Sequence, residues 1–465
     1  MNNINIGKKE IIHFIGIGGI GMSGLAQIMK IMKFTIQGSD LNRNKNTDNC
    51  KKIGIKVFFG HNRKNISKAT IIVKSSAITK NNVELKEAKK RKIPVFERVE
   101  MLADVVSLKK NIIITGSHGK TTTTSLIAKI LSAARLDPTI INGGVINSIK
   151  TNAKFGDGKW AVLEADESDG SFLKLPINYS VVTNIDKEHL DYYKNYENLK
   201  SAFTKFIEKT PAIGKSIICE DDLELKKILK SINNKNYLTY GFNSNANYQI
   251  LNPKYNTTNI VFNIRVKIHG SKNKILKNIN LNLIGKHNLL NAAASIAICL
   301  NLGIKINVIK SSLKKFSGVQ RRLSLIFKKN QREFYDDYAH HPTEICSVLD
   351  GLKKINRKRK IITIFQPHRY SRVNSLKHEF ASSFLNSDLV LLCPIYAAGE
   401  KKDKSYKDNT FAKMIAKKSN VQVIKINNEL EIRKYLKKNL IKDEIVIGMG
   451  AGSISKWMND LKGRI

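Results

Sequence analysis

Apolar residues in this chain come in short runs, set apart by glycine turns and by lysine-rich stretches of helical spacing. "IIHFIGI" reads as a buried strand, Gly21 to Met32 as a helix and "FTIQGSD" as the next strand. "ATIIVKSSAI" and "KIPVFER" follow, with Lys- and Glu-rich helical segments between them. This alternation predicts a parallel sheet covered by helices. The pattern restarts at "KKNIIITGSHGKTTTTSLIAKILSAA", a buried strand, a glycine turn and a long helix, with further strands at "KWAVLEAD" and "YSVVTNID". It restarts again after "FSGVQRRL", with strands at "KIITIFQPH", "DLVLLCPIY" and "DEIVIGMG". The expectation is three α/β domains, residues 1–107, 108–317 and 318–465. Residues 235–280 are Asn-rich, alternate weakly and read as a β insertion.

The length of 465 residues suits three domains, and 42% hydrophobic residues supply their cores. Charge complicates the picture: 80 Lys plus Arg against 38 Asp plus Glu give a net +42. Such a surplus suggests an anionic partner, nucleic acid or membrane. The basic residues are scattered among Asn and Ile, as in "KKINRKRKII", which A/T-rich codons alone would produce. No basic stripe, aromatic stacking platform or helix-turn-helix accompanies them, so no specific nucleic-acid partner is expected. Ile11 to Met29 lacks Asp, Glu, Lys and Arg and follows Lys8 and Lys9, like a signal peptide. Its five glycines, with His13, Ser23 and Gln27, describe a strand turning into a helix better than a membrane span. Five scattered cysteines without a C-x-x-C pair fit a reducing compartment. The expectation is a cytoplasmic chain with no membrane association.

Two glycine turns carry candidate chemistry. Gly16, Gly18 and Gly21 form G-x-G-x-x-G between strand and helix, where a phosphate can approach the backbone and the helix N-terminus. Asp40 ends the next strand, where an acid can hold a ribose. Alone, this motif fits NAD, a UDP moiety or mere packing. The second turn, Gly116-Ser117-His118-Gly119-Lys120-Thr121, places a lysine and a hydroxyl after glycines, as phosphate cradling with Mg²⁺ requires. Ile114 stands where the general P-loop has its first glycine. Glu164 follows the "AVL" strand within "EADESD", and His189 follows a further strand; a carboxylate there suits a hard cation.

Later segments add polar groups in unusual company. His287, Asn288 and Asn291 open an Ala-rich helix, as capping groups or as contacts to an adenine edge. "YDDYAHHPTE" concentrates Asp336, Asp337, Tyr338, His340 and His341, and "QPHRYSR" adds His368, Arg369 and Arg372. Two arginines three residues apart can clamp a carboxylate.

Taken in order, "HFIGIGGIGMSGLA", "GSD", "TGSHGKTTTT", "EADESDGSFL", "TNIDKEHLDYY", "GKHNLLNAAA", "GVQRRL", "YDDYAHHPTE", "HRYSR" and "GAGSI" resemble the Mur ligase family over nearly the whole chain. The short G-x-x-G-K-T is that family's form of the loop. The resemblance implies a Rossmann-like N-terminal domain, a central P-loop ATPase-type domain and a Rossmann-like C-terminal domain. It implies ATP-dependent ligation of L-alanine to the lactyl carboxylate of UDP-N-acetylmuramate, through an acyl phosphate, in peptidoglycan precursor synthesis. A relative that attaches a preformed murein peptide is the nearest rival.

By the same resemblance, Gly16, Gly18, Gly19, Gly21, Ser39, Asp40, Ser75 and Ser76 would hold the UDP part. Gly116, Ser117, His118, Gly119, Lys120, Thr121 and Thr122 would hold the ATP phosphates, with Lys120 supplying a cation. Thr121, Glu164 and His189 would hold Mg²⁺. His287 and Asn291 would approach adenine, Arg321 or Arg322 a phosphate, and Asp336 or Asp337 the ribose. Tyr338, His340, Arg369 and Arg372 would hold L-alanine. A homodimer is compatible with the reading and not required by it.

Overall fold

The computed structural model describes residues 9–232, 236–267, 273–403 and 406–465, which build three α/β sheets. In the first, β1 (Ile11–Ile15), β2 (Thr35–Asp40), β3 (Lys56–Phe59), β4 (Ile71–Lys74) and β5 (Val95–Glu97) are parallel, in the order β3-β2-β1-β4-β5. Helix α1 (Ile20–Ile31) joins β1 to β2, α2 (Val83–Lys90) joins β4 to β5, and α3 (Arg98–Val106) follows β5. A strand buried on both faces must be apolar almost throughout, and Ile12, Phe14 and Ile15 are buried accordingly. His13 is the polar exception, and Ser39 and Gln37 on β2 satisfy its ring nitrogens.

The second sheet centres on β6 (Lys110–Thr115). With it are β7 (Thr139–Ile146), β8 (Thr151–Lys154), β9 (Trp160–Glu164), β10 (Tyr179–Val182) and β11 (Lys215–Cys219). Their order is β11-β10-β6-β9-β7-β8. The weakly alternating stretch is indeed β: β12 (Tyr237–Gly241), β13 (Tyr248–Tyr255), β14 (Ile260–Val266) and β15 (Lys274–Leu281) extend the sheet beyond β11. Residues 235 and 268–272 of that stretch lie outside the described residues. Helix α4 (Lys120–Ala133) follows β6 although Thr121 to Thr124, poor helix formers, fill its opening after Lys120. Burial of Leu126, Ile127, Ile130 and Leu131 supplies the stability that propensity does not. Helix α5 (Lys286–Asn301) is the Ala-rich one.

The first two sheets share one compact unit, which runs through Asn252 and includes Phe262–Ile279 and Leu290–Phe316. α1 packs on β7 and β8, and the absent side chain of Gly24 admits Asn152 and Ala153. Asn152 Nδ2 donates to the Ile20 carbonyl at 3.0 Å.

The other unit comprises Pro253–Val261, Asn280–Leu289 and Ser317–Ile465. Its sheet contains β16 (Ser324–Lys329), β17 (Arg332–Asp337), β18 (Ile361–Phe365), β19 (Leu389–Leu392), β20 (Gln422–Lys425) and β21 (Ile445–Met449). The order is β16-β17-β21-β18-β19-β20, parallel except for the β16–β17 hairpin. Leu349, Leu352, Phe365, Phe380 and Phe384 lie in one core cluster, and Ile432, Leu436, Met458 and Leu461 in another. Helices α6 (Pro342–Ile355) and α7 (Tyr370–Ser375) follow β17 and β18. Among the described residues, no helix is long and apolar enough to cross a membrane.

Candidate active site

Every motif singled out above, the Ala-rich helix and "GVQRRL" apart, falls at the C-terminal end of a parallel strand, where open α/β sheets gather ligands. At the end of β1, the backbone N–H groups of Gly16 and Ile17 donate to the Ser39 carbonyl at 2.8 and 3.0 Å. Gly18 N–H donates to Asp40 Oδ2 at 2.8 Å. Ser39 and Asp40 therefore hold the glycine loop from beneath. The Ser39 side chain is fully buried and donates to Glu84 Oε2 at 2.6 Å, so its hydroxyl faces the interior and not a ligand. Ser75 lies against Gly16, Ser76 is exposed beside it, and Gly21 lies against Arg98.

Strand β6 ends in the second loop, whose geometry only glycine allows. Gly116 has φ +128°, and a Cβ there would stand 2.1 Å from Thr183 Oγ1. Gly119 has φ +85°, and its Cβ would meet Asn291 Oδ1 at 2.5 Å. The segment after β10 clasps this loop. Asn184 accepts from the Ser117 and His118 N–H groups, Thr183 donates to the His118 carbonyl, and Ser117 Oγ accepts from Asp186 N–H. Asn291 also accepts from Thr123 Oγ1 at 3.2 Å, so it braces the loop and the start of α4.

Charge concentrates here. Lys120 Nζ donates to the Gly116 and Ser117 carbonyls at 2.6 and 3.1 Å and to Glu167 Oε1 at 3.0 Å. Burial opposes the ammonium, but Glu167, Asp166 and Glu164 outweigh it and hold the lysine protonated. Burial pushes the Glu167 carboxyl up to about 7 against the pull of Lys120. Thr121 Oγ1 donates to Glu164 Oε1 at 3.0 Å, and Glu164 Oε2 accepts from Gly143 N–H at 2.6 Å. Thr122 is buried in the same turn. His189 stands 3.7 Å from Glu167 Oε1, and ligand atoms of Glu167, Glu188 and His189 lie within 4.8 Å of one another. Strands β10, β6 and β9 are neighbours, so the loops bearing His189, Lys120–Thr121 and Glu164 stand side by side. Their oxygen-rich donors fit a hard divalent cation. Sequence reasoning gave Glu167 no role, since one acid in "EADESD" looks like another; only the fold shows which faces Lys120.

The second unit carries the remaining groups. Asp337 is 2% exposed; its carboxylate accepts from Leu323 N–H at 2.6 Å and Ala339 N–H at 2.7 Å. Burial raises it to about 6 against the pull of Arg322. Each of its oxygens takes one backbone N–H and keeps a second lone pair. Asp336 accepts from Ser455 and stands 3.7 Å from Arg321 Nε. The Arg321 and Arg322 guanidiniums lie 4.7 and 5.3 Å from the Tyr338 ring centre. His287, beside Gly285, is lowered to about 4 by burial and by Arg322.

Tyr338, His340, His368 and Tyr396 form a chain of ring contacts with centroids 5.1, 5.8 and 5.7 Å apart. Arg372 Nη1 lies 3.1 Å from His368 Nδ1, and Arg369 Nε donates to Glu400 Oε1 at 2.9 Å. Both arginines thus flank the aromatic chain. Glu344, which takes His340 N–H at 3.1 Å and lies 3.5 Å from Arg322, and Glu400 are further residues that sequence reasoning did not single out.

Comparison with known proteins covers the same ground. Residues 11–110 match the Mur ligase family catalytic domain, 114–299 the Mur ligase middle domain and 321–452 the Mur ligase glutamate ligase domain. A UDP-N-acetylmuramate–L-alanine ligase of Pelagibacter ubique is 52% identical over 98% of this chain and 99% of its own. One from Rickettsia bellii is 41% identical over 97% of this chain and 96% of its own. Among solved structures, the UDP-N-acetylmuramate–alanine ligase of Thermotoga maritima superposes with a TM-score of 0.82 at 27% identity, covering 97% of this chain and 98% of its own. A murein peptide ligase of Psychrobacter arcticus shares the fold at TM-score 0.70 and 21% identity, covering 98% of each chain. The chain belongs to the Mur ligase family.

Proposed function

We infer that this chain joins L-alanine to the lactyl carboxylate of UDP-N-acetylmuramate, cleaving ATP to ADP and phosphate, in peptidoglycan precursor synthesis. The observation that carries the reading is likeness over essentially the full length to chains named for that activity.

A carboxylate resists attack by an amine because it is negatively charged and would have to expel oxide. Transfer of the γ-phosphoryl group to its oxygen gives an acyl phosphate. The amine then adds, and phosphate leaves from the tetrahedral intermediate. Such a transfer depends on positioning and charge cancellation. Lys120 would exchange the loop carbonyls for phosphate oxygens, and the N–H groups at the start of α4 would add donors. Thr121, Glu164 and His189, with Glu167 beside them, would hold Mg²⁺, which when bound neutralises phosphate charge. Asn291 and His287 would lie toward adenine, with Arg322 toward phosphate and Asp337 toward ribose. The β1 glycine loop with Asp40, Ser75 and Ser76 would take the UDP part. Arg369 and Arg372 would pair with the alanine carboxylate beside Tyr338 and His340.

ATP and a sugar nucleotide as substrates put the reaction in the cytoplasm. The chemistry needs one chain, and a homodimer would add no reacting group to those named.

The test is phosphate release from ATP with UDP-N-acetylmuramate, adding L-alanine, glycine, L-serine or a murein tripeptide separately. Release that depends on L-alanine is expected. Release that requires the tripeptide, or that proceeds without the sugar nucleotide, would overturn the reading.

A further inference from the structure

Resting on that reading, we propose that Glu400 is a positioning residue for amino-acid recognition, which acts by fixing the backbone and guanidinium of Arg369. The first observation is backbone strain. Arg369 has φ +68° and ψ 129°, a conformation that residues with side chains rarely adopt. Such a conformation persists only where its surroundings impose it. On the backbone side, Arg369 N–H donates to the Tyr396 carbonyl at 2.9 Å, within a bridge that also joins His368 to Tyr396.

On the side-chain side, the restraint is Glu400. Its Oε1 accepts from Arg369 Nε at 2.9 Å and from Ser371 Oγ, and its Oε2 accepts from Ser371 N–H at 3.1 Å. One carboxylate therefore clamps residues 369 and 371, on either side of the start of α7, whose first turn carries Arg372. Glu400 is itself held, since its N–H closes a turn on the Ala397 carbonyl at 3.0 Å, with Ala398 and Gly399 at positive φ. The ion pair uses the Nε edge of the guanidinium, leaving recognition of a small carboxylate to the Nη pair. A free arginine would lose its rotamer freedom when the amino acid binds; one already clamped has lost it on folding.

The test is steady-state kinetics on the full chain with E400A, E400Q, R369A and the R369A/E400A double variant, each checked for native melting. E400A should raise the KM for L-alanine about tenfold or more, with kcat and the KM values for ATP and UDP-N-acetylmuramate within about twofold. E400Q, which keeps an acceptor oxygen, should fall between E400A and the native chain. In the R369A background, E400A should add nothing. Equal losses toward all three substrates, or an effect that adds to that of R369A, would mark Glu400 as a general structural prop and overturn the proposal. So would an alanine KM that is unchanged or lowered, the latter meaning that Glu400 competes with substrate for Arg369. Should E400A not fold, the same cycle run with E400Q must show a smaller rise that disappears in R369A. A native chain without alanine-dependent phosphate release would overturn the functional reading, and this inference with it.

Discussion

Glu84 supports the β1 glycine loop from inside, and replacing it with glutamine isolates the contribution of its charge. The side chain is fully buried, with Ser39 and His61 on Oε2 at 2.6 and 3.0 Å and Asn65 on Oε1 at 2.6 Å. Burial alone would raise its pKa, but hydrogen bonds from His13, Ser39 and Asn65 prevail and lower it from 4.5 to about 2. Each pKa unit corresponds to about 1.4 kcal/mol, so the anion contributes roughly 3 kcal/mol at neutral pH. Because the folded value is depressed, that contribution is complete above pH 4.5 and is lost as the pH falls from 4.5 toward 2. E84Q forfeits it at all pH values and turns an amide N–H₂ toward groups that donate. Hydrogen exchange read peptide by peptide is the assay. At pH 7, segments 11–18, 35–40 and 60–66 should exchange up to about a hundredfold faster in E84Q if they open as one unit. Between pH 5 and 3 the native chain should lose protection there while E84Q changes little. Exchange within about threefold of native at pH 7 would refute the reasoning, because an anion with that pKa cannot be removed at no cost.

Other expectations concern the chemistry. Lys120→Ala should lower kcat by at least about a thousandfold with the fold intact by circular dichroism, since its partners are loop carbonyls and Glu167 and no core depends on it. Gly119→Ala should raise the KM for ATP while leaving that for UDP-N-acetylmuramate alone, because φ +85° and the 2.5 Å approach to Asn291 Oδ1 both resist a Cβ. His368 is held down to about 4 by burial and by His340, Arg372 and Arg369, so it is neutral at pH 7 and can accept from Arg372. Its contribution to stability is complete above 6.5 and falls as the pH drops through 4; the KM for L-alanine, followed from pH 7 to 4, should rise at the lower end in step with imidazolium formation.

The strands were legible because both faces of a parallel sheet are buried, so "IIHFI", "NIII" and "IVIGM" spell their own burial. The second glycine loop was legible as a strand-to-helix turn because its glycines and lysine are contiguous. Residues that act by supporting others were not. Glu84 meets Ser39 across 45 positions, and it lies in a Lys- and Glu-rich helix where an acid ordinarily faces water. Glu400 meets Arg369 across 31 positions, and Glu344 meets Arg322 across 22. Ser39 was expected to line the UDP site. It serves that loop through its carbonyl, because the alternation of β2 turns its side chain inward beside His13. Sequence spacing reports which residues are close along the chain, whereas these pairs are set by which strands lie side by side.

The net charge of +42 also takes on a different meaning once burial is known. Glu84, Glu167, Asp336, Asp337 and Glu444 are all buried, whereas no lysine or arginine among the described residues reaches the same degree of burial. The asymmetry follows from solvation. An ammonium costs little on the surface and a great deal in a core, so lysines collect where water remains. A buried carboxylate accepts hydrogen bonds that no lysine could replace. Glu84 takes them from Ser39, His61 and Asn65, and Asp337 from two backbone N–H groups. Lys120, the lysine closest to the proposed chemistry, is mostly buried and paired with an acid. The excess charge therefore lies where water remains, and the scarce acids inside lie where the fold needs acceptors that a lysine cannot supply.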